Sequence, residues 1–370
     1  MPRALYVITR AQRRGAEVDA TLLAAELASE YEPLVVTLFK GVDPAVLGGR
    51  VPVHASAVEP GLIRRGLGVS IAAVRHVRTA IREFEPDLVV AYGGEPLLHA
   101  IPAAGRKGPP VLYVKISMST DKLRRGPRRA AFRRACSRAG ALAAVSPHLA
   151  RELQQYLGAD RQVHVTPTFR TKADIPPGRQ REAVRRELGI ADDQLLAAFV
   201  GNLSFEKGPD LALEAVAKAR KRIHLLVAGE GPLAKSLESR ATARDLAGRV
   251  RFLGARSDVP RLLAGADLVL STSREEGRPG VILEAALGGL PVVAFAVGGI
   301  PDLVTHRREG LLIPPEDYES AAIAMNELLS DPGLRASLGA AALARSEQYL
   351  PGAVLPAWRA AYAATLRRAE

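Results

Sequence analysis

The chain has 370 residues, 48% apolar, 24% charged and 5% aromatic, the composition of a soluble globular protein long enough for about two domains. Its one cysteine, Cys136, excludes an internal disulfide framework and any cysteine-based metal site, which predicts a reducing, cytoplasmic setting. Lys+Arg 51 against Asp+Glu 39 gives +12, which favours an anionic partner, although 42 of those cations are Arg, a bias that a GC-rich genome produces without any function.

The opening MPRALYVITR lacks the apolar h-region of a signal peptide and reads as a first strand. Short β-branched or Leu-rich runs then alternate with longer Ala/Leu/Arg segments of helical period, the pattern of βαβ units around parallel sheets. Strands are predicted near Leu5 to Ile8, Leu34 to Leu38, Leu88 to Ala91, Val111 to Val114, Leu142 to Val145 and Val163 to Thr166. A second set falls near Leu196 to Val200, Leu225 to Ala228, Val250 to Leu253, Leu268 to Leu270 and Val292 to Phe295. Between the sets, TKADIPPGR at 171–179 has adjacent prolines and no hydrophobic period. The expected organisation is an N-terminal domain over 1–172, a linker over 173–185 and a C-terminal domain over 186–346. A closing helix over 347–370, with the only Trp, would pack back on the N-terminal domain.

Gly280 to Pro301 carries one charge, Glu284, but its five glycines and two prolines suit a helix followed by a core strand better than a membrane span. No repeat of 20 to 50 residues is visible.

Four segments could carry chemistry. After the strand ending at Val200, Gly201-Asn202-Leu203-Ser204-Phe205-Glu206-Lys207-Gly208-Pro209 holds Lys207 at the carboxyl end of a parallel strand, where an ammonium suits a phosphate. After Leu270, STSREEGRPGVILE turns through Glu275, Glu276 and Gly277, and Arg278-Pro279-Gly280 opens an apolar helix. The N–H groups of Gly280 and Val281 would face an anion there, and the Glu276 and Glu284 carboxylates could accept from sugar hydroxyls. The Glu276/Glu284 spacing is no signal alone: four E-x7-E pairs occur, against about one or two by chance, and the other three read as solvated acids. After the first strand, RAQRRGAEV places Gly15 at a helix start behind Arg10, Arg13 and Arg14. Segment 122–138, with Lys122 and seven Arg and no acid, reads as a solvated helix whose Ala131, Phe132, Ala135 and Ala139 pack inward; contact with a membrane surface or an acidic acceptor is the other reading. The seven His lack metal spacing, and no G-x-S-x-G elbow or G-x-x-x-x-G-K-[ST] loop is present.

These motifs together resemble the retaining family 4 glycosyltransferases of bacteria, nucleotide-sugar enzymes of the GT-B fold. The resemblance is strong over about 195–345, through FVGNLSFEKGPDLALEA, HLLVAGEGPL, VRFLGARSDVPRLLAGADLVLSTSREEGRPGVILEAALGGLPVVAFAVGGIPDLV and REGLLIPPED. It is weaker before that, where LYVIT, RRGAEV, PDLVVAYGGEP and AAVSPHLARELQQ keep the usual order. It implies two Rossmann-like doubly wound domains facing a cleft. It also implies donor binding by Gly15, Gly201, Asn202, Lys207, Arg256, Glu276, Gly277, Arg278, Gly280, Val281 and Glu284. Lys207 would neutralise the diphosphate, Glu284 hold the ribose, Glu276 hold the transferred sugar and Arg256 lie by the base. Glu276 and Lys207 are the expected catalytic pair, and no obligatory metal or other cofactor is implied. Three departures stand out. Asn202 replaces a common Arg, so Arg274 or Arg278 would have to supply that charge. Lys115 lies near the place of a common cleft histidine, and with His99 it is the candidate for acceptor contact. Pro167-Thr168-Phe169-Arg170-Thr171 stands where P-N-G-V-D is frequent.

The expected partners are a nucleotide-sugar donor and a small-molecule, glycan or lipid-linked acceptor, with peripheral contact at the inner membrane surface if 122–138 meets lipid. Nucleic acid is not expected, because few aromatics are available for stacking. The alternatives are a nucleotide-sugar epimerase of the same fold and a non-catalytic binder of an acidic polymer.

Overall fold

The computed structural model describes the chain apart from residues 13–14, 42–48, 61–67, 118–125, 159–160, 173–179, 192, 221–222 and 368–370. It forms two compact units, Met1–Thr168 with Val354–Glu370, and Phe169–Ala353.

The first unit runs β1 (Arg3–Arg10), α1 (Gly15–Glu26), β2 (Glu32–Phe39), β3 (Val53–His54), α2 (Ile71–Phe84), β4 (Leu88–Tyr92), α3 (Gly94–Ala104), β5 (Val111–Lys115), α4 (Gly126–Arg138), β6 (Ala141–Ala144), α5 (Pro147–Leu157) and β7 (Val163–Val165). Its seven strands lie in the order β3-β2-β1-β4-β5-β6-β7, every pairing parallel, with Leu5 beside Leu34 on one side and Val89 on the other. Helices on both faces explain why β4 is LVVAY and buried at every position: a parallel strand has no wet face.

The second unit runs α6 (Gln180–Leu188), β8 (Leu195–Val200), α7 (Pro209–Lys218), β9 (Ile223–Ala228), α8 (Ala234–Ala241), β10 (Val250–Phe252), α9 (Val259–Gly265), β11 (Leu268–Ser271), α10 (Gly280–Leu287), β12 (Val292–Phe295), α11 (Ile300–Leu303), β13 (Gly310–Ile313), α12 (Tyr318–Ser330) and α13 (Pro332–Ser346). Its strand order is β10-β9-β8-β11-β12-β13, again all parallel. Sequence-adjacent strands run outward from β8 in one direction and from β11 in the other, so the β8/β11 junction is the topological switch point, the place where ligands bind in open α/β sheets.

Two boundaries differ from the sequence expectation. Residues 180–185 are not linker: they open α6, where Val184 is fully buried and Arg185 bonds the Asp267 carboxylate at 3.1 Å. Residues 173–179 lie outside the described residues. The tail from 347 is not one helix. A single 3-10 turn at Glu347–Tyr349 precedes α14 (Pro351–Leu366), because Pro351 has no N–H to continue a helix but suits a helix start. Tyr349 stays with the second unit, donating to the Leu303 carbonyl at 2.9 Å.

From Val354 onward α14 belongs to the first unit. There Trp358 is 1% exposed, stacks on Tyr92 with centroids 6.2 Å apart, and donates its indole N–H to the Pro167 carbonyl at 2.9 Å. Tyr362 donates to the Tyr6 hydroxyl at 2.9 Å, and Arg359 clamps Glu30. Gly140 allows this approach, since a Cβ there would lie 2.9 Å from Thr365 Cγ2.

α4 buries Phe132, Ala135 and Cys136, and Ala139 just past its end is buried too. Its arginines meet neutral acceptors: Arg133 the Tyr156 carbonyl and Arg138 the Gly105 carbonyl. Arg161 closes the end of α4 by donating to the carbonyls of Cys136, Ser137 and Ala139. Burial pushes the Cys136 thiol up to about 12, so it is an inert core residue. Lys122, Arg124 and Arg125 lie outside the described residues. Among the described residues no helix is long and apolar enough to cross a membrane.

Candidate functional site

The switch point of the second unit is built by two short segments. Past β8 the backbone turns at Gly201, whose N–H bonds the Ala228 carbonyl at 3.0 Å, and Phe205–Lys207 forms one 3-10 turn. Gly208 then takes a left-handed φ of 62°, and a Cβ there would collide with the Thr272 carbonyl. Pro209 starts α7, whose Leu211, Ala212, Leu213, Ala215 and Val216 are buried and fix the loop above them. Past β11 the chain passes through Thr272, Ser273 and Arg274 to Glu276, and α10 begins at Gly280 behind Pro279.

The two segments meet at Glu276. The Lys207 ammonium lies 2.6 Å from Glu276 Oε1, and the Ser273 hydroxyl donates to the same oxygen at 2.7 Å. Glu276 is buried while a third of Lys207 is exposed, so the pair presents its cationic end to solvent. The Glu276 backbone carbonyl accepts from Gly299 N–H at 3.1 Å, which ties the main chain here to the turn after β12. At α10 the first N–H groups, those of Gly280 and Val281, have no acceptor within the helix, as at any helix start. One turn in, Glu284 receives Arg170 Nε at 2.8 Å. The structure thus gathers Gly201, Asn202, Lys207, Glu276, Gly277, Arg278, Gly280, Val281 and Glu284 on the two segments that flank one switch point and the helix behind it.

Other expected residues sit elsewhere. Arg256 follows β10, two strands away from β8, where its guanidinium forks onto Asp258 with two contacts of 2.8 Å. Gly15 opens α1 in the first unit, beyond β1; Arg13 and Arg14 lie outside the described residues. His99 is fully buried with both ring nitrogens engaged inside its own unit: its Nε2 accepts from Ser70 N–H at 3.0 Å and its Nδ1 meets the Glu95 carbonyl at 2.8 Å. Burial also lowers its pKa, against the bond to Glu95. Lys115, 2% exposed, faces Glu152 at 3.3 Å, an internal ion pair in place of the expected acceptor contact.

Arg274 is not the replacement for the cation missing at Asn202. It forks onto Asp210 at 3.0 and 2.7 Å, reaches Glu316 at 3.2 Å and lies over the Phe205 ring at 4.0 Å. Burial raises the Asp210 carboxyl, but the hydrogen bonds and charge of Arg274 outweigh it and hold the pKa below the usual carboxylate range. Arg278 stacks over Tyr349, 5.4 Å from the ring centre. Glu230, read from sequence as a solvated acid, lies just past β9 and accepts from Ala255 N–H at 3.4 Å.

Two doubly wound parallel sheets are the architecture of the GT-B glycosyltransferases. Residues 13–170 match the model of "Glycosyltransferase Family 4" and residues 180–345 that of "Glycosyl transferases group 1". The chain thus carries both of these glycosyltransferase domains, one in each half. It is 33% identical over 225 residues to D-inositol 3-phosphate glycosyltransferase of Jonesia denitrificans, covering 56% of this chain and 53% of that one. It is also 33% identical over 167 residues to alpha-D-kanosaminyltransferase of Streptomyces kanamyceticus, covering 44% and 43%. The chain spans about half the length of the curated relatives it matches. Among solved structures, Anabaena Alr3699/HepE in complex with UDP-glucose superposes with a TM-score of 0.82 at 25% identity, covering 98% of each chain.

Proposed function

We propose that the protein is a retaining glycosyltransferase that moves a sugar from a nucleoside-diphosphate sugar, a UDP-sugar in the first instance, to a hydroxyl of a small-molecule, glycan or lipid-linked acceptor. The observation that carries this reading is the meeting of Lys207, Glu276 and Ser273 over the β8/β11 switch point, beside the start of α10. The UDP-glucose complex of the Anabaena structure supports the choice of donor.

Lys207 and the N–H groups of Gly280 and Val281 stabilise the departing diphosphate, a role for preorganised dipoles and a fixed cation. Glu276, oriented by Ser273, accepts from hydroxyls of the transferred sugar, and Glu284 accepts from the ribose. The bond from the anomeric carbon to the phosphate oxygen breaks. The acceptor hydroxyl adds from the same face, and its proton passes to the departing phosphate oxygen. Charge stabilisation by these groups leaves no step that calls for a metal ion.

The test is incubation of the protein with UDP-, GDP-, ADP- and TDP-sugars and a panel of hydroxyl acceptors, read by mass spectrometry. Released diphosphate with a glycosylated acceptor is the expected result. An isomerised donor or free epimer with no transfer product would favour the epimerase, and tight binding without turnover would favour a non-catalytic binder.

A further inference from the structure

Arg170 lies just past β7, 114 positions before Glu284, and sequence spacing gives no reason to connect the two. In the fold its guanidinium is buried: Nε donates to Glu284 Oε1 at 2.8 Å and one terminal nitrogen donates to the Phe169 carbonyl at 2.8 Å. The guanidinium lies so close against the first residue of α10 that any Cβ at Gly280 would collide with it. The glycine at the helix start is therefore the space that Arg170 fills.

The charges around α10 are otherwise committed. Asn202 is neutral, Arg274 is forked onto Asp210 and Arg278 stacks on Tyr349. Lys207 and Arg170 are the two cations held directly against the carboxylates assigned to sugar and ribose, Glu276 and Glu284. A guanidinium is planar and always charged, and it matches phosphate oxygens in pairs, which an ammonium does not.

We propose that Arg170 is a diphosphate-binding residue of this chain, the second phosphate-facing cation beside Lys207, oriented by Glu284. This assignment rests on the proposed donor site. It makes Asn202 tolerable, because the positive charge comes from the segment after β7 instead of the loop after β8. It also predicts that Gly280 cannot be enlarged without displacing the phosphate cation.

Calorimetric titration of the full chain with UDP, GDP and ADP, and in parallel with the matching nucleosides, tests it. Arg170→Gln should weaken the cognate diphosphate at least about tenfold while changing the nucleoside less than about threefold, the split expected when a charge-assisted bond to phosphate is lost. Arg170→Lys should recover part of the loss. Equal weakening of diphosphate and nucleoside would reduce Arg170 to a support for Glu284, and unchanged diphosphate affinity in a folded Arg170→Gln protein would remove it from the site; either overturns the proposal. Should the unaltered protein bind no nucleoside diphosphate, the donor-site reading falls with it, an outcome distinct from both. Melting curves of each variant separate lost folding from lost binding.

Discussion

The Thr272 hydroxyl donates to the Gly208 carbonyl at 2.7 Å, so the residue that ends the β11 segment is tied to the turn that follows Lys207. Both sides of the switch point are held in one register by this bond, and Thr272 is fully buried. Thr272→Val keeps the shape and removes that donor, while the Gly208 carbonyl keeps its bond from Ala212 N–H at 3.2 Å. The expected loss is about 0.5 to 1.5 kcal/mol of unfolding free energy. Urea denaturation measures it, and a loss below a few tenths would mean that the turn is held by packing alone.

Lys207→Ala should weaken nucleoside-diphosphate binding by at least about 1.5 kcal/mol, the scale of a hydrogen bond to a charged group. The same change deprives buried Glu276 of its cation and leaves it Ser273. Calorimetry with the cognate diphosphate checks the first effect, and an unchanged dissociation constant removes Lys207 from the site.

Much of this arrangement was legible in the sequence, for physical reasons. A parallel strand buried on both faces must be a continuous apolar run, and LVVAY or LLAAFV announces itself. Val53–His54 has only two residues at a sheet edge, and Gly310–Ile313 is four residues that begin with glycine and run into Pro314-Pro315, so neither β3 nor β13 carries such a signal. The site divides in the same way. Lys207 and Glu276 follow strands directly and could be placed by topology. Arg170 could not, because its partner is set by tertiary packing; its only trace is a charged residue in Pro167-Thr168-Phe169-Arg170-Thr171. The tail misled because helical period survives across Leu350-Pro351 although the helix does not.

Glu276 and Glu284 should separate kinetically. Glu276→Gln keeps a hydrogen-bonding group against the transferred sugar but loses the charge facing Lys207, so it should mainly lower kcat. Glu284→Gln should mainly raise the dissociation constant for the nucleotide. Glu238→Gln, on the exposed face of α8, is the control, since Glu230 touches the loop after β10. Steady-state kinetics with direct binding decide it, and equal damage from Glu238→Gln would defeat the assignment by position.

The Asp210–Arg274 pair gives a pH dependence with a definite sign. The folded carboxyl titrates below its unfolded value, so its stabilisation is complete above the unfolded pKa, about 3.9, and is lost as pH falls through the folded pKa. Asp210→Asn should therefore lower the melting temperature at neutral pH and lose that effect in strong acid. Melting curves across that range measure the convergence. A constant difference would show that the aspartate contributes through its hydrogen bonds without its charge.

The stereochemical course follows from what surrounds the departing group. The Glu276 carboxylate is engaged by both Lys207 and Ser273 on one oxygen, which suits a hydrogen-bonding role toward sugar hydroxyls and leaves it poorly placed as a free nucleophile for backside attack. Lys207, the helix start at Gly280 and Arg170 behind it all favour negative charge on the diphosphate, so departure can run ahead of acceptor attack. The acceptor then enters on the face the phosphate leaves, guided by the hydrogen bond to the phosphate oxygen that takes its proton. The expected product keeps the anomeric configuration of the donor, and turnover should persist in excess EDTA. Proton NMR of fresh product reads the first point, and assays with and without chelator read the second. An inverted anomer would overturn the same-face course, and activity lost to EDTA but restored by magnesium or manganese would show that the protein's own cations do not suffice for the leaving group.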